Sequence, residues 1–349
     1  IDHALAAGDH EAGADLLEQA GQARLAGGEL ATLRGWLDQL PDEVVDARPR
    51  LCLLQAWLRI FVLRAEQAER YLQRAEQAAA TLADGSERES LLSEIAAGRA
   101  TSAALQADMT RFRELRGRVE VRQGSTSDES AFLRSVSQLG RALALEWSGD
   151  SAAANQAYQE VSASSQASGN LIVAVFALSQ LGDQLVAQGR LRRAAETYQR
   201  ALHLAGAGPA GGDRPATPLA AAAQIGMAFL LIEWDDLDAA QVHVEATLAL
   251  SQQSASPLLL AGARMVLARL QQARGDYPAA LEALDAADQD AARTDLTPHV
   301  LAFTAAQRAR LGIAGGALPP VAAWVDRYRQ RGEQDAARSG AFAVLEALD

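Results

Sequence analysis

The stretch GDSAAANQAYQEV, residues 149–161, is followed by GRLRRAAETYQRALHLA, residues 189–205. Gly149, Ala154, Tyr158 and Val161 return as Gly189, Ala194, Tyr198 and Ala201, each shifted by 40 residues. Self-similarity at a fixed period marks a stacked-repeat protein, whose units bury their apolar faces against their neighbours. With Ala154 as the ruler, equivalents fall at Ala68, Phe112, Ala194, Ala240 and Ala280, with successive gaps of 44, 42, 40, 46 and 40 along the series. Four positions after the ruler stand Leu72, Arg116, Tyr158, Tyr198, Val244 and Leu284, mostly large and apolar. Twelve positions before it stand Ala56, Ala100, Ala142, Gly182, Ala228 and Ala268, all small. A small residue on one helix, a turn, then a small and a large residue on the next describes two antiparallel helices in close contact. The copy at Phe112 is the weakest.

This is the grammar of a tetratricopeptide repeat with longer helices than the usual 34-residue unit. The fold class expected is all-α, a right-handed superhelix of antiparallel hairpins forming one array. Composition agrees, with 5% aromatic residues, 10 prolines and an abundance of Ala, Leu, Glu, Gln and Arg, which favour helix. Hairpins are expected near residues 1–28, 29–82, 87–122, 129–168, 171–205, 219–254, 257–293 and 297–332, with a C-terminal cap at 333–349. The chain opens in mid-pattern at Ile1 and reads as a fragment of a larger protein. GSTSD at 124–128 reads as a loop with an N-cap, and GAGPAGGDRPATP at 206–218 as a mobile connection.

Charge and chemistry narrow the function. The net charge is -12 and every basic residue is Arg, so neither a P-loop lysine nor a Schiff-base lysine exists in the chain. An acidic chain without a basic block is a poor partner for phosphate backbones, so no direct nucleic-acid binding is expected. The arginines at 111, 113, 116, 118 and 122 read as a solvated helix face. The single cysteine, Cys52, lies in the apolar run LCLLQAWL and reads as a buried thiol, consistent with a cytoplasmic setting. No stretch is long and apolar enough for a membrane span. The five histidines, His3, His10, His203, His243 and His299, lack metal-ligand spacing, and no nucleophile motif is present. No metal, catalytic residue or enzymatic activity is expected.

The runs HALAAGDHEAGADLLE at 3–18 and GELATLRGWLDQLPDEVVDARPRLCLLQAW at 28–57 are similar to the start of the helical sensor region of large ATP-dependent bacterial transcription activators of the LuxR class, the MalT type. That resemblance implies an inducer-binding and coupling module. It places ATP on a nucleotide-binding domain preceding this region and DNA binding on a helix-turn-helix domain following it, neither of which lies in these residues.

In tetratricopeptide repeats the first helix of each pair lines the concave face. Carried across by resemblance, the ligand-facing positions are Glu146 and Trp147; Phe176, Ser179 and Asp183; Phe229 and Glu233; Met265, Arg269 and Gln272. Aromatic faces beside carboxylates, amides and a guanidinium suit a polar, sugar-like small-molecule inducer. Binding would shift self-association or activation state, with a regulatory protein as a further partner. The alternative is a scaffold whose groove takes a peptide or partner protein and no metabolite.

Overall fold

The computed structural model describes residues 1–62, 64–83, 85–106, 108–116, 128–206, 220–254, 257–291 and 298–314. All regular structure in them is helical: α1 (Asp2–Ala6), α2 (His10–Ala26), α3 (Leu30–Leu37), α4 (Asp42–Asp46), α5 (Pro49–Phe61), α6 (Ala65–Ala80), α7 (Ser86–Leu105), α8 (Met109–Arg116), α9 (Asp128–Trp147), α10 (Ser151–Ala167), α11 (Leu171–Ala187), α12 (Leu191–Leu204), α13 (Ala220–Glu233), α14 (Leu237–Ser254), α15 (Pro257–Ala273), α16 (Tyr277–Ala291) and α17 (Pro298–Ala314). The expected helix at 319–332, the tail at 333–349, Arg118, Arg122 and nearly all of the connection at 206–218 lie outside the described residues.

From α5 onward the helices pair as antiparallel hairpins, α5 with α6 through α15 with α16. The ruler decides that pairing. Ala68, Ala154, Ala194, Ala240 and Ala280 are fully buried, as are Ala56, Ala142 and Ala228 on the preceding helices. Where the ruler is Phe112, the first helix of the next hairpin, α9, carries Gly140, whose absent Cβ would lie 3.0 Å from the Phe112 ring. The weak copy is therefore a compensated one, its large ring accommodated by a glycine of the neighbouring hairpin. The turns repeat as well: Asp150, Asp236 and Asp276 each accept a hydrogen bond from the backbone N–H three residues on, capping the second helix of their hairpins.

The odd-numbered helices α5 to α17 touch from one hairpin to the next, whereas the even-numbered partners make no comparable contacts among themselves. An inner layer packed more closely than the outer one curves the array, with the odd helices on its concave side. In the N-terminal half, Trp57 ties three of these together: it stacks on Phe61 of its own helix, meets Phe132 of α9 edge-on at 5.0 Å, and donates its indole N–H to Glu94 of α7 at 2.9 Å. Cys52 is buried, donates its thiol to the Val45 carbonyl, and burial pushes its pKa up to about 12, an inert structural thiol.

The N-terminal helices do not continue the stack. Helix α2 packs on α5 through Gly21, where a Cβ would fall 2.4 Å from Leu54, and it also reaches α9 and α11. It therefore lies against the concave side. Arg48, just before α5, holds it there through Glu11, Asp15 and Glu18.

Candidate functional site

The concave face becomes chemically distinctive where α9 and α11 meet. Tyr158 and Tyr198 sit four positions after the ruler on α10 and α12, so each ring points inward between two odd helices. Two glycines set the second ring: a Cβ on Gly182 of α11 would fall 2.3 Å from the Tyr198 ring, and one on Gly226 of α13 would fall 2.2 Å from it. Real Cβ atoms do not approach this closely, so the pair of glycines forms a slot that only their lack of side chains allows. The ring passes through the inner layer, and its hydroxyl donates to the Asp183 carboxylate. Tyr158 repeats the arrangement one hairpin earlier and donates to Glu146. Gln180 and Gln184, on either side of Asp183 along α11, add side-chain hydrogen bonds to Glu146.

Both carboxylates titrate upward from their ordinary range. Desolvation dominates at Glu146, opposed by the hydrogen bonds from Tyr158, Gln184 and Gln180. Asp183 is raised to about 7, by desolvation first and by the charge of Glu146 as well, against the Tyr198 hydrogen bond. Asp183 is nonetheless exposed to solvent. The two observations describe the floor of a groove: solvent reaches the carboxylate from one side while surrounding helices crowd it from the others. Exposure governs what can reach the group and tempers the shift; crowding fixes its upward direction. The Tyr158 and Tyr198 hydroxyls, buried beside these carboxylates, are shifted far above the usual phenol range.

The other candidate residues fall into two sets. Trp147 is 37% exposed at the end of α9, with its indole N–H donating to the Ala104 carbonyl of α7 at 3.2 Å, so its ring stands at the rim. Glu233 and Arg269 form an ion pair at 2.5 Å between α13 and α15. Phe176 and Phe229 are half-buried and packed on the core. Gln272 is half-buried near the end of α15. Ser179 and Met265 are buried, and the Ser179 hydroxyl donates to the Val175 carbonyl of its own helix. The structure thus joins Glu146 with Asp183 and Glu233 with Arg269, and turns Ser179 and Met265 away from the face. Tyr158, Tyr198, Gln180 and Gln184 were absent from the sequence-derived set. The tyrosines were visible there only as packing residues. No group of three or more metal-ligating side chains occurs among the described residues.

The family model described as the MalT-like TPR region matches residues 93–345, most of the chain and all of the hairpins from α9 onward. The chain belongs to that family. The match begins beyond residues 28–57, so the repeats themselves carry the MalT-like assignment. No curated protein matches the sequence significantly. Among solved structures, a Rap protein complexed with Competence and Sporulation Factor superposes with a TM-score of 0.60 at 12% identity, covering 82% of this chain and 76% of that one. The apo form of RapI gives 0.49 at 13% identity, covering 79% and 76%. BtubC (BKLC) from P. vanneervenii gives 0.43 at 20% identity, covering 66% and 90%. The first supports the MalT-like chain's solenoid fold and, at that identity, nothing more. The chain is a helical regulatory domain of sensing or interaction type. No helix among the described residues is long and apolar enough to cross a membrane.

Proposed function

We propose that this MalT-like region is the effector-sensing and coupling segment of a multidomain transcription regulator, binding a small polar inducer on its concave face. The observation that carries the reading is the groove floor. Glu146 and Asp183 stand together with two tyrosine hydroxyls and two glutamine amides, on helices that the repeat brings side by side. Such a set offers acceptors and donors to a polyhydroxylated ligand, and Trp147 supplies an apolar face at the rim. The role is one of binding, not turnover. An inducer that fits one curvature or self-associated state better than another shifts that equilibrium. ATP and DNA would be handled by separate domains of a bacterial, cytoplasmic regulator of the LuxR class.

The second reading, a scaffold for a peptide or partner protein, is favoured by the likeness to a Rap protein solved with Competence and Sporulation Factor. A thermal-shift screen separates the two. A specific metabolite at 100 times its dissociation constant adds roughly 2.7 kcal/mol of stability. The inducer reading expects one sugar-like or polar hit, lost in the Trp147→Ala and Asp183→Ala variants. A flat metabolite screen beside a stabilising peptide would replace it with the scaffold.

A further inference from the structure

The Tyr198 side chain belongs to both layers of the solenoid at once. Its backbone is on the outer helix α12, its ring fills the slot between Gly182 and Gly226, and its hydroxyl reaches Asp183 on the concave face. The spacing of α11 and α13 cannot close or slide without meeting that ring, because a void or a clash follows from either movement. We propose that Tyr198 is the positioning residue that couples the groove to the stack: a change in the charge carried at Asp183, by proton or by ligand, alters the bond to the Tyr198 hydroxyl and with it the seating of α11 against α13. As a route for the effector's signal, this rests on the concave face being the sensing site. The coupling itself needs only the atoms of this chain.

Few other groups compete for Asp183. From the packed helices, Glu146 of α9 and Tyr198 of α12 act on it, and Tyr158 of α10 is tied to Glu146. The α2 acids Glu11, Asp15 and Glu18 pair with Arg48, and Arg24 of α2 pairs with Glu29. Glu233, the acid of α13, pairs with Arg269. The charged side chains of α12 itself, Arg192, Arg193, Glu196, Arg200 and His203, are exposed on its far side. Because Asp183 titrates near 7, a proton is the simplest probe of the coupling.

Hydrogen exchange of the α12 and α13 backbone amides, corrected for intrinsic rates, is measured on the intact chain at pH 6 and pH 8. The wild type is expected to open about three-fold or more at the higher pH, as Asp183 becomes charged beside Glu146. Tyr198→Phe keeps the ring in its slot and removes only the hydroxyl; α12 and α13 are then expected to show equal protection at both values, the direct repulsion between Asp183 and Glu146 acting on α9 and α11 alone. Asp183→Asn is expected to do the same. A wild type without a pH response in these helices, or a Tyr198→Phe variant that keeps the wild-type response, overturns the proposal. Should Tyr198→Phe fold poorly, Asp183→Asn decides alone, since it leaves ring and slot intact and a retained response there is equally fatal. No ligand enters the experiment, so a failed inducer screen and a failed coupling remain distinguishable.

Discussion

Hairpins α11/α12 and α13/α14 are neighbours built from the same repeat, yet they solve it with opposite materials. The first pairs Gly182 with Tyr198; the second, at the same positions, pairs Ala228 with Val244. All four residues are buried, so both crossings are filled. The difference is that the first crossing ends in a hydroxyl on the concave face and the second ends in a methyl group inside the core. A repeat can hold its packing constant while one copy acquires a polar group at the groove. That exchange of volume between partners is how the site could arise without disturbing the fold.

Removing the two large residues tests this most severely. Tyr198→Ala empties the slot and is expected to cost about 3–5 kcal/mol, as for other buried aromatics. Val244→Ala is expected to cost roughly 1–2 kcal/mol, because a valine leaves a smaller cavity. Urea denaturation of both variants checks the ratio, and equal losses would mean that the slot is no tighter than its neighbour. Filling the slot from the other side comes next. In an ordinary helix Gly→Ala gains up to about 1 kcal/mol of helix propensity. With a Cβ 2.2 Å from the ring, Gly226→Ala is instead expected to destabilise by about 1–3 kcal/mol. A stabilised Gly226→Ala chain would show that Tyr198 is not held where the structure puts it.

The two hairpins are also expected to answer pH in opposite directions. Asp183 is raised from 3.8 to about 7 in the fold, so its contribution to stability is fully present below about pH 4 and is lost as pH rises through 7. His243 of α14 is half-buried, shares a hydrogen bond with Gln224, and is lowered from 6.5 by desolvation. Its contribution is present above pH 6.5 and is lost as pH falls through its lowered value. Relative to wild type, Asp183→Asn should gain in denaturation midpoint between pH 5 and pH 8, and His243→Asn should gain at pH 5. Parallel profiles for wild type and Asp183→Asn would mean that exposure has cancelled the crowding of that carboxylate.

The sequence announced the repeat because its signal is local: a ruler position, small in five of six copies, every 40 to 46 residues, and a small residue twelve before each. Glu146 and Asp183 come to the face by resemblance to tetratricopeptide repeats, whose first helices line the groove. The sequence missed the tyrosines because a ring at a core position reads as packing, and only the paired glycines, 44 residues apart at Gly182 and Gly226, reveal the passage to the other side. The crossing of α2 onto α9 and α11 was hidden too, since contacts at such separation leave no period to read. Ser179 and Met265 were placed on the face by offset alone. Small rotations of each helix about its axis decide whether such a position meets the groove or the core, and spacing does not encode them.

The last contrast lies in the turns that join the paired helices. Three of them place a glycine in the left-handed region, Gly149, Gly189 and Gly275, at φ of 80°, 69° and 80°. The α13/α14 turn places Asp235 there, at φ 60°, the sole positive-φ non-glycine among the described residues. The hydrogen bonds are the same: Asp235 N–H donates to the Ile232 carbonyl and Asp236 N–H to that of Leu231, matching Gly189 to Val186 and Arg190 to Leu185. An L-residue pays a steric cost for that conformation, reduced in Asp because its short side chain can bond locally. Asp235→Gly is therefore expected to stabilise the chain by about 0.5–1 kcal/mol, and Gly189→Asp to destabilise it by a similar amount. Thermal melts of the two single variants and of the double exchange check this. The double exchange should return close to wild type, because the turns are separate sites whose effects add. If Asp235→Gly were instead neutral or harmful while Gly189→Asp behaved as expected, the aspartate would have to be supplying something the glycine cannot. With Trp234 beside it 43% exposed, that would make this turn, and not the α11/α12 one, the more specialised edge of the solenoid.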